Sequence, residues 1–382
     1  MDKDDRIGLG LIGCGDFGRF CLAAYRRMEQ VRIAAVADVV GAAAERLGRE
    51  FAATPLADPQ ALLAHPAVEL VHIATPPSTH YGLALAAIRA GKHVLCEKPL
   101  ALSTAQADEI IAAAAQAGVI APVNFVLRYN QVVRTVKALI DSAVLGRVLH
   151  AQLTNCAKDT KLTPGHWFWD KAVSGGIFLE HGVHFFDLYR HWLGPGRVVS
   201  AHAELREGTG MEDRVVCTVR HANGVLAGHY HGFDQMDLMD RAEHRLVCET
   251  GDIRVVGWVP LGLTIDTATD EAGAERLAAI CPGARMEVIA TFDERTGRTF
   301  GRGKRRRVSK RIHLEYTPRL DKPAVYADNI RALLADQIAY IRDRSHRREV
   351  VESDGREAVA MAEAATRLAE QGRGAATPED RG

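Results

Sequence analysis

The chain has 382 residues, 47% of them hydrophobic and 25% charged, the balance of an ordinary globular protein with length for about two to three domains. Lys plus Arg and Asp plus Glu both number 48, so no overall field selects nucleic acid, an anionic membrane or an acidic substrate. The seven cysteines (Cys14, Cys21, Cys96, Cys156, Cys217, Cys248, Cys281) lack Cys-x-x-Cys spacing, which argues for reduced thiols and against a disulfide framework or zinc knuckle.

The opening MDKDDRIGLGLIG passes from charge into an apolar strand without the pattern of a secretory signal, and a cytoplasmic location is expected. No uninterrupted apolar stretch reaches the ~18 residues of a spanning helix. The first part alternates strand-like runs (Ile7–Ile12, Ile33–Asp38, Leu70–Thr75, His93–Cys96) with helical ones (Phe17–Met28, Ala42–Phe51, Tyr81–Ala90, Ala105–Ala117). Strands separated by helical crossovers predict a parallel sheet covered on both faces.

From about Arg147 the period changes to two, in Val148–Thr154, Val198–Leu205, Arg214–Arg220, Val225–His231, Arg245–Glu249, Leu263–Asp266, Glu287–Phe292 and Arg311–Tyr316. Such segments predict an open, mainly antiparallel sheet. Helices are expected over Gly176–Leu193, Val325–Ile341 and Gly355–Gln371, and a frayed end over Gly372–Gly382. The expected organisation is an α/β Rossmann domain over 1–126 followed by an α+β domain over 127–382. The basic run Arg302–Arg311 is expected on an exposed turn between strands, and without interleaved aromatics it does not suggest nucleic acid.

Gly13-Cys14-Gly15-Asp16-Phe17-Gly18 follows the first strand and opens the first helix. Gly13 permits a tight turn, Gly15 lets the backbone approach a pyrophosphate, and Gly18 lets helix and strand pack closely. Asp38 ends the next strand twenty residues later, where a carboxylate accepts hydrogen bonds from the adenosine ribose. With Val39 and Val40 following, no cation is offered to a 2′-phosphate, so NAD is favoured over NADP. Thr75 and Pro76, with His80 beyond them, stand at the carboxyl end of a strand, the ligand edge of an open parallel sheet, and are expected along the cofactor. Lys98 emerges at the same edge beside Glu97, although position alone does not separate an oriented lysine from a surface one.

Glu97-Lys98-Pro99 in AGKHVLCEKPLAL resembles the EKP motif of the glucose-fructose oxidoreductase and inositol dehydrogenase family (Gfo/Idh/MocA). The similarity continues through Val123 to Tyr129 and through SGGIFLEHGVHFFDLYRHWLG. The resemblance implies an NAD-dependent dehydrogenase acting on a hydroxyl of a small polyol, inositol or sugar. It places the motif lysine, also a cofactor contact with Glu97, on Lys98, the catalytic histidine on His184, and that histidine's acidic partner on Glu180, where an aspartate is commoner.

In that reading His184 takes the hydroxyl proton and the Lys98 ammonium stabilises the charge that develops on oxygen. Glu180 and His184, at i and i+4, are expected on one helix face. Asn124, Arg128, Tyr129, Lys158, Trp167 and Trp169 are candidate substrate contacts. His181 invites a metal reading, but no HExxH is present and hydride transfer needs no metal, so none is expected. The rival functions are a reductase of another carbonyl, dihydrodiol- or biliverdin-like, and a regulator that binds NAD without turnover. A homodimer or homotetramer through the open sheet is expected, with no nucleic-acid or membrane partner.

Overall fold

The computed structural model describes residues 5–375, and the side chains of 5–372. Two compact units share the chain. The first takes the residues up to Val126, then Pro164–Asp187 and Tyr326–Ala364, and the second takes Leu127–Thr163, Leu188–Val325 and the chain from Ala365.

The first unit begins β1 (Ile7–Ile12), α1 (Asp16–Tyr25), β2 (Val31–Ala37), α2 (Gly41–Phe51), β3 (Thr54–Leu56), α3 (Pro59–Leu63), β4 (Leu70–Ile73), α4 (Pro77–Arg89), β5 (His93–Cys96) and α5 (Thr104–Ala117). Every pair is parallel, in the order β3-β2-β1-β4-β5. The chain therefore reverses direction across the sheet between β1 and β4, the crevice where open α/β sheets bind ligands. β1 and β4 are buried at every residue, as strands covered on both faces must be. The Ser103 hydroxyl caps α5 by accepting from Gln106 N, and Gly118 ends it at φ +68°.

After α5 the chain runs beside β5, with Val94 N donating to Ile120 O (2.8 Å), Cys96 N to Pro122 O (3.0 Å) and Asn124 N to Cys96 O (2.8 Å). Parallel strands share one direction, so Gly13, Asp38, Thr75, Lys98 and Asn124 all come off along the same edge of the sheet. That convergence positions the site.

Next come α6 (Gln131–Ser142), β6 (Val148–Cys156), α7 (Lys171–Ser174), α8 (Val183–Leu193), β7 (Gly196–Leu205), β8 (Glu212–His221), β9 (Leu226–Gly232), β10 (Arg241–Cys248), β11 (Gly251–Val256), β12 (Leu263–Thr269) and α9 (Glu271–Ile280). They are followed by β13 (Arg285–Thr291), β14 (Arg298–Gly301), β15 (Lys304–Arg307), β16 (Lys310–Tyr316), α10 (Lys322–Arg342) and α11 (Glu352–Ala375).

The second unit carries a nine-stranded sheet in the order β13-β16-β12-β11-β10-β6-β9-β8-β7. Only β6 and β9 pair in parallel. One face is buried through Ala151, Leu153, Val215, Cys217, Val219, Leu246, Ile253, Val255, Ile265, Ile312 and Leu314. Tyr189 and Trp192 lie in the interior with the buried rings of His229 and His244.

Beyond the short α3 and α7, two longer helices depart from the sequence expectation. α6 and α9 interrupt what reads as loop or strand, yet α6 has its signal: Val132, Val133, Val136 and Leu139 form a buried stripe and the Asn130 side chain caps Val132 N and Val133 N. The basic run is not a turn alone. β14 and β15 pair as an antiparallel hairpin whose turn, Arg302-Gly303, has both φ values positive, as a two-residue type I′ turn requires. Arg302 and Arg306 in that hairpin both pair with Glu249.

Helix α11 runs to Ala375, and residues 376–382 of the end expected to fray lie outside the described residues. All seven cysteines are free and buried. Among the described residues no helix is long and apolar enough to cross a membrane.

Candidate active site

The glycine turn after β1 is shaped by what its neighbours leave room for. A Cβ on Gly13, at φ +104°, would lie 2.2 Å from Ala74 O beyond β4, and a Cβ on Gly18 would lie 2.2 Å from Gly13 O. Glycine at both positions is set by close backbone approach. Gly15 differs: it caps α1, and an added Cβ there meets nothing within 4 Å. The space above Gly15, at the positive end of a helix, is where an anionic pyrophosphate fits. Asp16 opens α1, and Phe17 packs 6.2 Å from the Tyr326 ring, centroid to centroid.

The Asp38 carboxylate accepts from Cys14 N at 2.7 Å and from Val40 N at 2.8 Å, so it ties the glycine turn to the end of β2. Burial and this carboxylate push the Cys14 thiol up to about 12, which keeps it neutral. The structure adds a cation that reading along the chain missed: Arg46 of α2 donates to Cys14 O at 3.3 Å. Nothing local in the sequence marks Arg46, because helix packing brings it to the turn.

At the turn after β4, the Thr75 and Thr79 hydroxyls are 2.7 Å apart and Thr79 Oγ1 donates to Pro76 O at 2.8 Å. His80, expected along the cofactor, is instead buried, with Nδ1 2.7 Å from Pro99 O and Nε2 2.8 Å from Thr75 O. It bridges two turns and turns both ring nitrogens to backbone.

Glu97, also expected at the cofactor, points into the core. Its Oε1 lies 2.9 Å from His72 Nε2 and accepts from Asn124 Nδ2 at 2.6 Å, while Tyr25 Oη lies 3.2 Å from His72 Nδ1. Asn124 is thereby committed on its amide nitrogen to Glu97. Cys21, His72 and Glu97 are the trio of metal-capable side chains that converge among the described residues. Burial and Glu97 hold the Cys21 thiol well above its ordinary range, and the other two are engaged in this chain. The trio is a hydrogen-bonded core feature.

Lys98, next to Glu97 and facing the other way, donates from Nζ to Glu180 Oε1 at 2.5 Å and to the Glu180 carbonyl at 2.8 Å. The carboxylate expected to serve His184 thus reaches Lys98, a contact to which the additional methylene of glutamate over aspartate contributes length. Asp170 caps α7, Gly175 and Gly176 follow at φ +81° and +85°, and Gly176 O then accepts from Leu179 N and Glu180 N.

The segment Phe178–Gly182 is a π-helical turn. The uniform α-helix expected from Gly176 is corrected here, and Glu180 and His184 do not stand one α-helical turn apart. An inserted polar side chain is a standard cause of such widening, and the Lys98 ammonium sits on the Glu180 carbonyl within this turn. His184 opens α8, buried, with its ring edge-on to Phe185 at 6.5 Å. His181 Nδ1 is 3.9 Å from Glu180 Oε2, and burial together with the Lys98 charge lowers its pKa to about 3.

The remaining candidates divide between the units. Asn124, Trp167 and Trp169 belong to the first, the two tryptophans on a short turn capped by His166, and Phe168 packing edge-on against Trp169 at 4.9 Å. Arg128, Tyr129 and Lys158 belong to the second. Arg128 and Tyr129 are buried there, Tyr129 beneath the Arg134 guanidinium, whereas Lys158 is exposed.

A doubly wound parallel sheet with a glycine turn at its switch point, an acid closing that turn, and a lysine–carboxylate pair on the same edge defines a dinucleotide-binding oxidoreductase class. Residues 7–125 match the oxidoreductase family model described as an NAD-binding Rossmann fold, and 133–254 match the Gfo/Idh/MocA C-terminal domain. The chain belongs to the Gfo/Idh/MocA family.

Among curated relatives it is 34% identical over 175 residues to 1,5-anhydro-D-fructose reductase of Ensifer adhaerens (45% of this chain, 53% of that one). It is 30% identical over 190 residues to myo-inositol 2-dehydrogenase of Thermotoga maritima (49% and 54%). The chain spans about half the length of these two relatives. A levoglucosan dehydrogenase solved with NADH and levoglucosan shares the fold at TM-score 0.76 and 20% identity, covering 96% of this chain and 98% of that one.

Proposed function

We propose that the chain is an NAD-dependent dehydrogenase that moves hydride between a hydroxyl carbon of a small polyol, inositol or sugar derivative and the nicotinamide. The observation that carries this reading is the Lys98–Glu180 pair on the cofactor edge of an NAD-binding domain, with His184 four residues beyond Glu180. A regulator that only binds NAD has no use for a charged lysine and a histidine there. The dinucleotide supplies the hydride acceptor. Gly13, Gly15 and the α1 N-terminus would hold its pyrophosphate, and Asp38 its ribose.

His184 then accepts the substrate hydroxyl proton, the Lys98 ammonium stabilises the oxygen as charge grows on it, and Glu180 orients that ammonium through two hydrogen bonds. We assign residues 1–126 to cofactor binding and 127–382 to substrate binding and assembly. Asn124, Arg128, Tyr129, Lys158, Trp167 and Trp169 are the proposed substrate contacts. A homodimer or homotetramer through the nine-stranded sheet is supported by the half-exposed Val216, Leu226 and Val256, which stand on its open face. A cytoplasmic setting agrees with seven free thiols.

The test is NAD reduction over a panel of inositols, aldoses, sugar acids and amino sugars. Turnover with at least one polyol, abolished in Lys98→Ala, supports the proposal. NAD binding without turnover on any member would favour the regulator.

A further inference from the structure

His80 lies in the first turn of α4 with no exposed surface. Its two ring nitrogens face two backbone carbonyls, Pro99 O at 2.7 Å and Thr75 O at 2.8 Å. A carbonyl oxygen only accepts, and neutral imidazole has one N–H and one lone pair. In the neutral ring one of these contacts sets a lone pair against an oxygen at hydrogen-bond distance, which is repulsive. Only the imidazolium donates to both.

The two carbonyls belong to the two turns that matter most for the proposed chemistry. Pro99 follows Lys98 directly. Thr75 follows Ala74, against whose carbonyl the Gly13 backbone is pressed. The Thr75–Thr79–Pro76 hydrogen bonds fix the first turn by themselves, so what the ring adds is the tie between the turns.

We propose that His80 is a positioning residue for Lys98, stapling the turn after β4 to the turn after β5 through two N–H donors, and that the staple is complete only when the ring carries a proton. This rests on the dehydrogenase reading for its catalytic consequence and on geometry for the staple itself. The charged groups bearing on the ring are Glu97, which favours the cation, and Lys98, which opposes it, as does the positive end of α4. Burial is the largest influence and sets the His80 pKa below the ordinary histidine value, with the two carbonyls and Glu97 opposing it. The ring thus exchanges between a singly bonded neutral state and a doubly bonded cation, and the seat of Lys98 tightens as pH falls.

The first measurement uses no cofactor and no substrate: nitrogen-15 spectra of protein labelled at histidine, with His80 assigned by the signals lost in His80→Gln. As pH falls below the ordinary histidine value near 6.5, His80 should pass from a one-donor to a two-donor pattern while the fold persists. A ring that stays neutral throughout overturns the proposal, whatever the enzyme turns over.

The second measurement is steady-state kinetics. His80→Gln keeps one donor and His80→Phe none, so at pH values where the spectra show a two-donor ring kcat should fall in the order wild type, Gln, Phe, by up to roughly 10²-fold in the last, the scale of a small misplacement of a reacting group. The NAD dissociation constant should move much less. Equal kcat in wild type and His80→Gln at a pH where the spectra show a two-donor ring, with both folded, would also overturn it. Absence of any turnover in wild type would instead sink the dehydrogenase reading and leave the spectra to decide the staple.

Discussion

The Lys98 ammonium donates two hydrogen bonds to one residue, Glu180, taking its carboxylate at 2.5 Å and its main-chain carbonyl at 2.8 Å across 82 positions of sequence. A lysine held twice has little freedom to follow a substrate, and its charge stays where the proposed mechanism puts the developing oxyanion. Glu180→Ala should therefore lower kcat by about 10- to 10²-fold by loosening Lys98, less than loss of a whole donor costs. Glu180→Gln, which can still accept at the same place, should lose less. Kinetics of both variants with the best substrate, beside NAD binding, checks this; a larger loss in Gln than in Ala would contradict it.

His184 and Lys98 are assigned to one transition state. His184→Ala should cost roughly 10²- to 10⁴-fold in turnover. Lys98→Ala should cost roughly 10²- to 10³-fold. The double variant should lose less than the product, since groups acting as a unit are not additive. Near-normal turnover of His184→Ala at neutral pH would remove it as the base.

Gly13 and Gly15 separate folding from binding. Gly13→Ala forces a side chain to φ +104° and to within 2.2 Å of Ala74 O, and should lower the melting temperature as well as NAD affinity. Gly15→Ala meets nothing within 4 Å and should melt as the wild type does while binding NAD at least about 10-fold more weakly, because the methyl occupies the pyrophosphate space. Calorimetry with NAD titration reads both, and unchanged NAD affinity in Gly15→Ala would displace the cofactor from this turn.

The proposed site makes Asp38 and Arg46 the residues that choose the dinucleotide. Asp38→Ser should weaken NAD by roughly 10- to 10²-fold, the worth of a hydrogen bond to a charged group. With the carboxylate gone, Arg46 near Cys14 O becomes the available cation for a 2′-phosphate, so NADP affinity should rise. Adding Arg46→Ala to that variant should cancel the rise. If it does not, Arg46 has no part in the choice.

Acid should weaken the fold through its buried histidines. Burial lowers His244 to about 3, and burial with Lys98 lowers His181 to about 3. The unfolded chain takes these protons near 6.5 and the folded one does not, so stability is greatest above that pH and falls as pH drops from 6.5 toward 3. Each such group contributes a slope of about 1.4 kcal/mol per pH unit inside that window. Urea unfolding at neutral pH and near pH 5 measures it, and equal midpoints would contradict it.

Features that are local or periodic could be read along the chain. Gly13 to Gly18, Asp38 and Lys98 could be placed because alternation fixes strands and helices, and parallel strands bring their carboxyl ends to one edge whatever the details of packing. Helix α6 was not expected, although its signal is local: the stripe of Val132, Val133, Val136 and Leu139 and its Asn130 cap. Packing in three dimensions settles which side chains meet across long separations. It gave Glu180 to Lys98, widened the turn that carries it, and brought Arg46 to the glycine turn. It also set His80 between two carbonyls and turned Glu97 into the core toward His72. Each of these depends on distance in space between segments that no periodicity relates, and is fixed by packing once the sheet has formed.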